Sequence, residues 1–173
     1  MSVTFILGGA RSGKSQRAEA LAKQSLLDVV YVATSPHIEG DKEWKLRIQK
    51  HQQGRPEHWQ TVEERLDLCE VLKKLKGNQC ALVDCLTLWL FNIMEEKLNI
   101  DDEVAGLCVY LTKLDQPVIL VSNELGMGLV PEQKLGRDFR DAQGRLNQAV
   151  AKVASRVEFM VAGIPMVLKG ESL

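Results

Sequence analysis

Apolar and polar positions along this chain fall into two alternating patterns. Short continuous apolar runs, rich in β-branched and aliphatic residues, occur at Val3–Leu7, Val29–Ala33, Cys80–Val83, Val118–Val121 and Val157–Val161. Continuity rather than alternation marks strands covered on both faces, so these runs predict a buried sheet. A further run, Met166–Lys169, follows Pro165 and reads as an edge strand. Helical periods lie between the runs. Ala18, Leu21 and Ala22 give one narrow apolar face, and Val62, Leu66, Cys69, Leu72 and Leu75 make a second stripe. Thr61 with Glu64 suits a capping box opening that second helix, and Gly77 suits its end. Phe139, Ala142, Leu146, Val150 and Val153 predict a long amphipathic helix. The alternation predicts an α/β fold, a three-layer sandwich around a mainly parallel sheet. No repeat, low-complexity segment or linker interrupts it, and residues 1–173 read as one domain.

Composition narrows the function classes. A formal net charge of −1 gives no global pull toward nucleic acid or an anionic membrane, so any anion site must be local. Cys69, Cys80, Cys85 and Cys108 form no C-x-x-C pair, which suits reduced thiols in a cytoplasmic protein. No basic segment precedes an apolar one as in a secretory signal. The longest apolar run, Leu86 to Met94 broken by Thr87 and Asn92, is too short to span a bilayer. A soluble cytoplasmic protein with neither nucleic-acid binding nor stable membrane insertion is expected.

The most informative motif is Gly8-Gly9-Ala10-Arg11-Ser12-Gly13-Lys14-Ser15, which satisfies G-x-x-x-x-G-K-[ST]. It directly follows an apolar strand and opens a helical pattern, the context a phosphate-binding loop requires. Its glycines let successive backbone N–H groups converge on phosphate oxygens, and the helix adds its positive end. Lys14 supplies a cation for the β- and γ-phosphates of GTP or ATP, and the Ser15 hydroxyl a ligand for Mg2+. Asp84 ends the run Ala81-Leu82-Val83, where a second carboxylate ordering the magnesium shell belongs; a plain helix-start carboxylate is its other reading.

Three further segments carry chemistry whose role spacing alone leaves open. Trp44, Ile48 and His51 share one helical face, framed by Arg47, Lys50 and Arg55 and ended by Gly54 and Pro56. His51 is either a packed or capping imidazole or a nucleophile or acid/base group beside phosphate. His37 and His58 lack that cationic frame and read as structural or surface residues. Asn123-Glu124-Leu125-Gly126-Met127-Gly128 follows a strand at the end where ligands gather in open α/β sheets; it is an ordinary turn, or a loop approaching a ligand or subunit. The charged stretch Arg137 to Gln148 is a solvated helix face, or a lip over a charged substrate.

Together these segments resemble the bifunctional adenosylcobinamide kinase/adenosylcobinamide-phosphate guanylyltransferase family, over essentially the whole length. The resemblance rests on GGARSGKS, Ala33-Thr34-Ser35, R-I-x-x-H-x-x-G-R-P-x-x-W from Arg47 to Trp59, and Thr61-Val62-Glu63. It continues with N-E-x-G-M-G-x-V-P-E from Asn123 to Glu132 and F-R-D-x-x-G-R-x-N-Q from Phe139 to Gln148. It implies a RecA-like P-loop sandwich assembled as a homotrimer. It also implies two reactions: phosphorylation of adenosylcobinamide by ATP or GTP, then GMP transfer from GTP to give adenosylcobinamide-GDP and pyrophosphate. Carried over, His51 would hold GMP covalently. The nucleotide site would include Gly8 to Ser15, Ala33, Thr34, Ser35, Gln52, Gln53, Gly54, Arg55, Glu63 and Asp84, with Mg2+ at Ser15 and Asp84. This chain has Asp84 where the family often has Glu, and Lys50 where a His often precedes the nucleophile. A P-loop kinase without guanylyl transfer and a nucleotide-dependent switch are the competing readings of the same residues.

Overall fold

The computed structural model describes residues 3–35 and 56–171. Along the chain run β1 (Val3–Gly8), α1 (Lys14–Gln24), β2 (Asp28–Ala33), β3 (Gln60–Glu63), α2 (Leu68–Lys73), β4 (Gln79–Asp84) and α3 (Leu86–Glu95). Then come α4 (Ile100–Leu111), β5 (Val118–Asn123), α5 (Lys134–Val153), β6 (Arg156–Val161) and β7 (Ile164–Lys169). The strands make one sheet in the order β3-β2-β4-β5-β1-β6-β7, parallel except for β7, which runs antiparallel to β6.

Both faces of the central strands are buried, which is why the sequence shows unbroken apolar runs. Phe5, Val30, Val32, Ala81, Val83 and Leu120 point into a core shared with α2, α3, α4 and α5. Ile6, Val29, Tyr31, Leu82 and Val121 point the other way, onto Ala18 and Ala22 of α1. Those alanines, one turn apart, let the helix carrying Lys14 lie close against the sheet. The arrangement is the expected three-layer α/β sandwich.

The helix expected from Thr61 is different in the structure. Gln60–Glu63 is a strand, paired in register with Val30–Ala33. The Glu64 carboxylate accepts the N–H groups of Leu66 and Asp67, at 2.8 and 2.9 Å, closing a turn instead of reaching back to cap a helix. The helix begins later, at an Asp67 cap whose carboxylate accepts Glu70 N–H at 3.0 Å. Val62 and Leu66 still pack on the same core as Leu68 and Leu72. Strand plus turn therefore delivers the same side chains to the core as one helix would, and the period could not separate them.

Helices α3 and α4 occupy stretches without a clear polar face in the sequence. In α3, Leu86, Trp89, Leu90 and Ile93 are buried, and so is Asn92, whose amide donates to the Thr34 and Arg65 carbonyls. The edge strand β7 starts earlier than its apolar run predicts and includes Pro165, which an edge position tolerates.

Candidate active site

Parallel strands put their carboxyl ends on one edge, and the sequence motifs meet there. Gly8 stands opposite Asn123, Asp84 opposite Val121 and Ala33, and Ala33 opposite Glu63. Read across the sheet, that edge carries Glu63, Ala33, Asp84, Asn123 and Gly8.

The loop between β1 and α1 turns through left-handed backbone at Arg11 (φ 57°) and Gly13 (φ 96°), an anion-nest geometry. Helix α1 has no side-chain cap and no acidic residue in its first turn. Its leading N–H groups and its positive end are therefore free for an anion. Lys14 is buried, and its Nζ donates to the Gly9 carbonyl at 2.6 Å. Burial pushes its pKa below the ordinary lysine value, with Asp84 acting in the opposite direction. A buried cation held by a neutral acceptor is a strong site for polyphosphate, because the anion restores what desolvation removes.

Several contacts hold this loop in shape. Gly163 N–H, in the turn between β6 and β7, donates to the Ser12 carbonyl at 3.0 Å. A side chain on Gly8 would strike the Met160 carbonyl at 2.6 Å. Helix α1 is anchored through Arg17, whose guanidinium donates to both oxygens of Glu158 at 2.7 and 2.8 Å. Arg156 donates to the same fully buried carboxylate at 2.8 Å. The Arg17 hydrogen bonds hold the Glu158 carboxyl below the usual range, opposed by burial and helped by Arg156. Charge identity alone in the sequence does not reveal this pair, since it joins residues from opposite ends of the chain.

Asp84 accepts the Tyr31 hydroxyl at 3.0 Å on one carboxylate oxygen. The residues fit Mg2+: a Ser15 hydroxyl and an Asp84 carboxylate are hard oxygen donors, and such sites leave the remaining positions to phosphate and water. Thr34 is fully buried, and its hydroxyl donates to the Cys85 carbonyl at 2.7 Å while accepting Cys85 N–H at 2.9 Å. Its side chain thus ties the ends of β2 and β4 together. His51, Gln52, Gln53, Gly54 and Arg55 lie outside the described residues, as do Trp44, Arg47, Ile48, Lys50 and His37. His58 is exposed.

The Asn123 and Gly144 segments, distant in sequence, meet in a buried polar cluster. Ser122 donates to Asn147 Oδ1 at 2.8 Å, and Gln143 Nε2 donates to Ser122 Oγ at 2.8 Å and Asn147 Oδ1 at 3.0 Å. Asn147 in turn donates to the Asn123 carbonyl at 3.0 Å, Thr87 accepts Asn123 N–H at 2.8 Å, and Glu124 N–H reaches the Gly8 carbonyl at 3.0 Å. The Arg137–Gln148 stretch is therefore a solvated face on one side and a clamp on the phosphate-loop edge on the other. Gln143 and Asn147 sit inside the 3.6-residue apolar stripe of α5, a pattern in the sequence that signals buried polar chemistry.

A loop of this geometry at the end of a parallel strand, with a buried lysine and a nearby carboxylate, defines a P-loop nucleotide-binding protein of the RecA-like type. The fold is shared with the RadB recombinase (TM-score 0.52, 17% identity, covering 91% of this chain and 73% of that one). Residues 4–168 match the family model described as cobinamide kinase / cobinamide phosphate guanyltransferase. The chain is 48% identical over 172 residues to the bifunctional adenosylcobalamin biosynthesis protein CobP of Pseudomonas aeruginosa, covering 98% of each. It is 40% identical over 183 residues to the bifunctional adenosylcobalamin biosynthesis protein CobU of Escherichia coli K12, covering 95% of this chain and 98% of that protein. The chain belongs to the cobinamide kinase/cobinamide phosphate guanyltransferase family. It is a bifunctional enzyme of that kind, using nucleotide and cobinamide substrates. No helix among the described residues is long and apolar enough to cross a membrane.

Proposed function

We propose that this enzyme acts in cobalamin biosynthesis, first phosphorylating adenosylcobinamide and then guanylylating the product through His51. In the first reaction the aminopropanol hydroxyl attacks the γ-phosphorus of ATP or GTP and the nucleoside diphosphate leaves. In the second, an imidazole nitrogen of His51 attacks the α-phosphorus of GTP and pyrophosphate leaves. A phosphate oxygen of adenosylcobinamide phosphate then attacks the histidine-bound phosphorus, releasing the imidazole and giving adenosylcobinamide-GDP.

The observation that carries this reading is the meeting of buried Lys14, the uncapped start of α1 and Asp84 on one sheet edge. Lys14 and the loop N–H groups neutralise the leaving pyrophosphate, or the diphosphate of the kinase step. Gly8 to Ser15, Ala33 to Ser35, Gln52 to Arg55, Glu63 and Asp84 form the nucleotide site. When bound, Mg2+ would screen the phosphate charge from Ser15 and Asp84. One domain of residues 1–173 carries both reactions, in the cytoplasm, as a homotrimer.

GTP labelled at the α- or γ-phosphorus tests the sequence of steps. With magnesium, α-label should stay on the protein in an acid-labile, alkali-stable bond, and γ-label should not. His51→Ala should abolish that labelling and guanylyl transfer while nucleotide still binds. Label persisting in His51→Ala would end the assignment. Transfer of γ-label to cobinamide with no α-labelled protein would leave a kinase alone, and bound but unchanged GTP would leave a switch.

A further inference from the structure

A groove of about 520 Å³ opens on α5 beside the loop that follows β5, lined by Gly126, Arg140, Asp141, Gly144, Arg145 and Gln148. It adjoins the site edge. Glu124 N–H is bonded to the Gly8 carbonyl, and Gly126 lies only two residues further, so the groove begins within roughly 10 Å of the phosphate loop. Buried Asn147, which holds the Asn123 carbonyl, is on the next turn of the same helix after Gly144.

Gly144 has no packing explanation among the described residues. It stands inside the 20-residue helix α5, where glycine is less favourable than alanine, and a Cβ placed on it would meet nothing within 4 Å among the described residues. No described neighbour requires a glycine there, and a glycine leaves room for an approaching ligand. The groove's polar groups are only weakly committed to one another. Arg140 reaches its neighbour Asp141 only at 3.3 and 3.4 Å, and Arg145 has no ion-pair partner among the described residues.

From this geometry we propose that the groove binds the peripheral carboxamide arms of the corrinoid substrate, positioning it for the reactions at the phosphate loop. The inference rests on the function proposed above. Two guanidiniums, a carboxylate and an amide offer donors and acceptors side by side. A carboxamide uses both, its oxygen accepting from Arg140 or Arg145 and its N–H groups donating to Asp141 or Gln148. Asp141 offsets Arg140, which leaves one net positive charge at Arg145, so comparing the corrinoid with and without its phosphate separates a carboxamide arm from a phosphate in this groove. The site is open at the surface, as a ligand much larger than the groove needs.

Equilibrium dialysis of adenosylcobinamide and of its phosphate tests this, alongside protein labelling by α-labelled GTP. Gly144→Leu fills the groove, and Arg145→Ala and Asp141→Ala each remove one partner. Each should weaken both corrinoids equally, by about tenfold or more for a charged hydrogen-bond partner, and leave GTP labelling unchanged. Gly144→Ala guards against misfolding: it should raise the melting temperature through helix propensity while still weakening corrinoid binding. Unchanged corrinoid affinity in all variants overturns the proposal. So does weakening confined to the phosphorylated substrate, which would make the groove a phosphate site, or loss of GTP labelling, which would give it to the nucleotide. A change of oligomeric mass with corrinoid affinity intact would make it a subunit contact and equally overturn it. Wild-type protein that binds corrinoid through this groove but never takes α-label would instead refute the histidine chemistry alone.

Discussion

Replacing Glu158 by glutamine should destabilise the whole protein. This carboxylate is fully buried and carries the charge that balances Arg17 of α1 and Arg156 of β6. Removing one partner of a buried ion pair costs about 3–5 kcal/mol, because the remaining charge is left uncompensated. Here the guanidinium side chains keep 21% and 12% of their exposure, and the amide oxygen still accepts one hydrogen bond, so the cost falls to about 2–3 kcal/mol. For a chain of this size that is about 4–12 °C in melting temperature. The pH dependence has a definite sign. The folded carboxyl titrates below its ordinary value of 4.5, so its stabilisation is complete above that pH and fades as pH falls through the folded value. Glutamine does not titrate. The gap between wild type and Glu158→Gln, measured by thermal unfolding with circular dichroism, should be full at pH 7 and close on acidification. Equal melting temperatures at pH 7, or a gap that acid leaves unchanged, would refute the reasoning.

Lys14→Ala should lower both the kinase and guanylyltransferase rates at least ~10²-fold, since one preorganised cation serves both leaving groups; a variant retaining near-normal turnover in either assay would separate the two sites. Gly8→Ala forces a Cβ to 2.6 Å from the Met160 carbonyl and 2.7 Å from Ser12 Oγ at a φ of +152°. The strain is of order 1–3 kcal/mol, and nucleotide binding measured calorimetrically should fall with it. All four cysteines are free, and burial pushes their pKa values up, that of Cys85 to about 12. A thiol reagent at pH 7.5 should therefore react slowly with buried Cys80, Cys85 and Cys108 of the native protein, faster with half-buried Cys69, and rapidly with all four in denaturant; fast native reaction at any of the three buried thiols would contradict their placement.

Much of this protein is written locally. The Gly8–Ser15 loop is legible because a strand, a glycine turn and a helix start must be consecutive, so one short string specifies both the backbone curl and the phosphate chemistry. The unbroken runs at Val3–Leu7 and Val118–Val121 announce burial on both faces for the same local reason. Family membership is legible too, because the Asn123 and Phe139 blocks keep their residues in order. Tertiary structure decided the rest. Residues 60–63 became a strand because the exposed side of β2 offered an unpaired ladder, and pairing outweighed a helical period that fits both forms. Glu158 found Arg17, Asn147 found Asn123, and Tyr31 found Asp84 through sheet order, which no spacing along the chain encodes. Gly144 shows the boundary between the two. The sequence displays a glycine in a helix, but only the packing around it reveals that none of the described residues needs one.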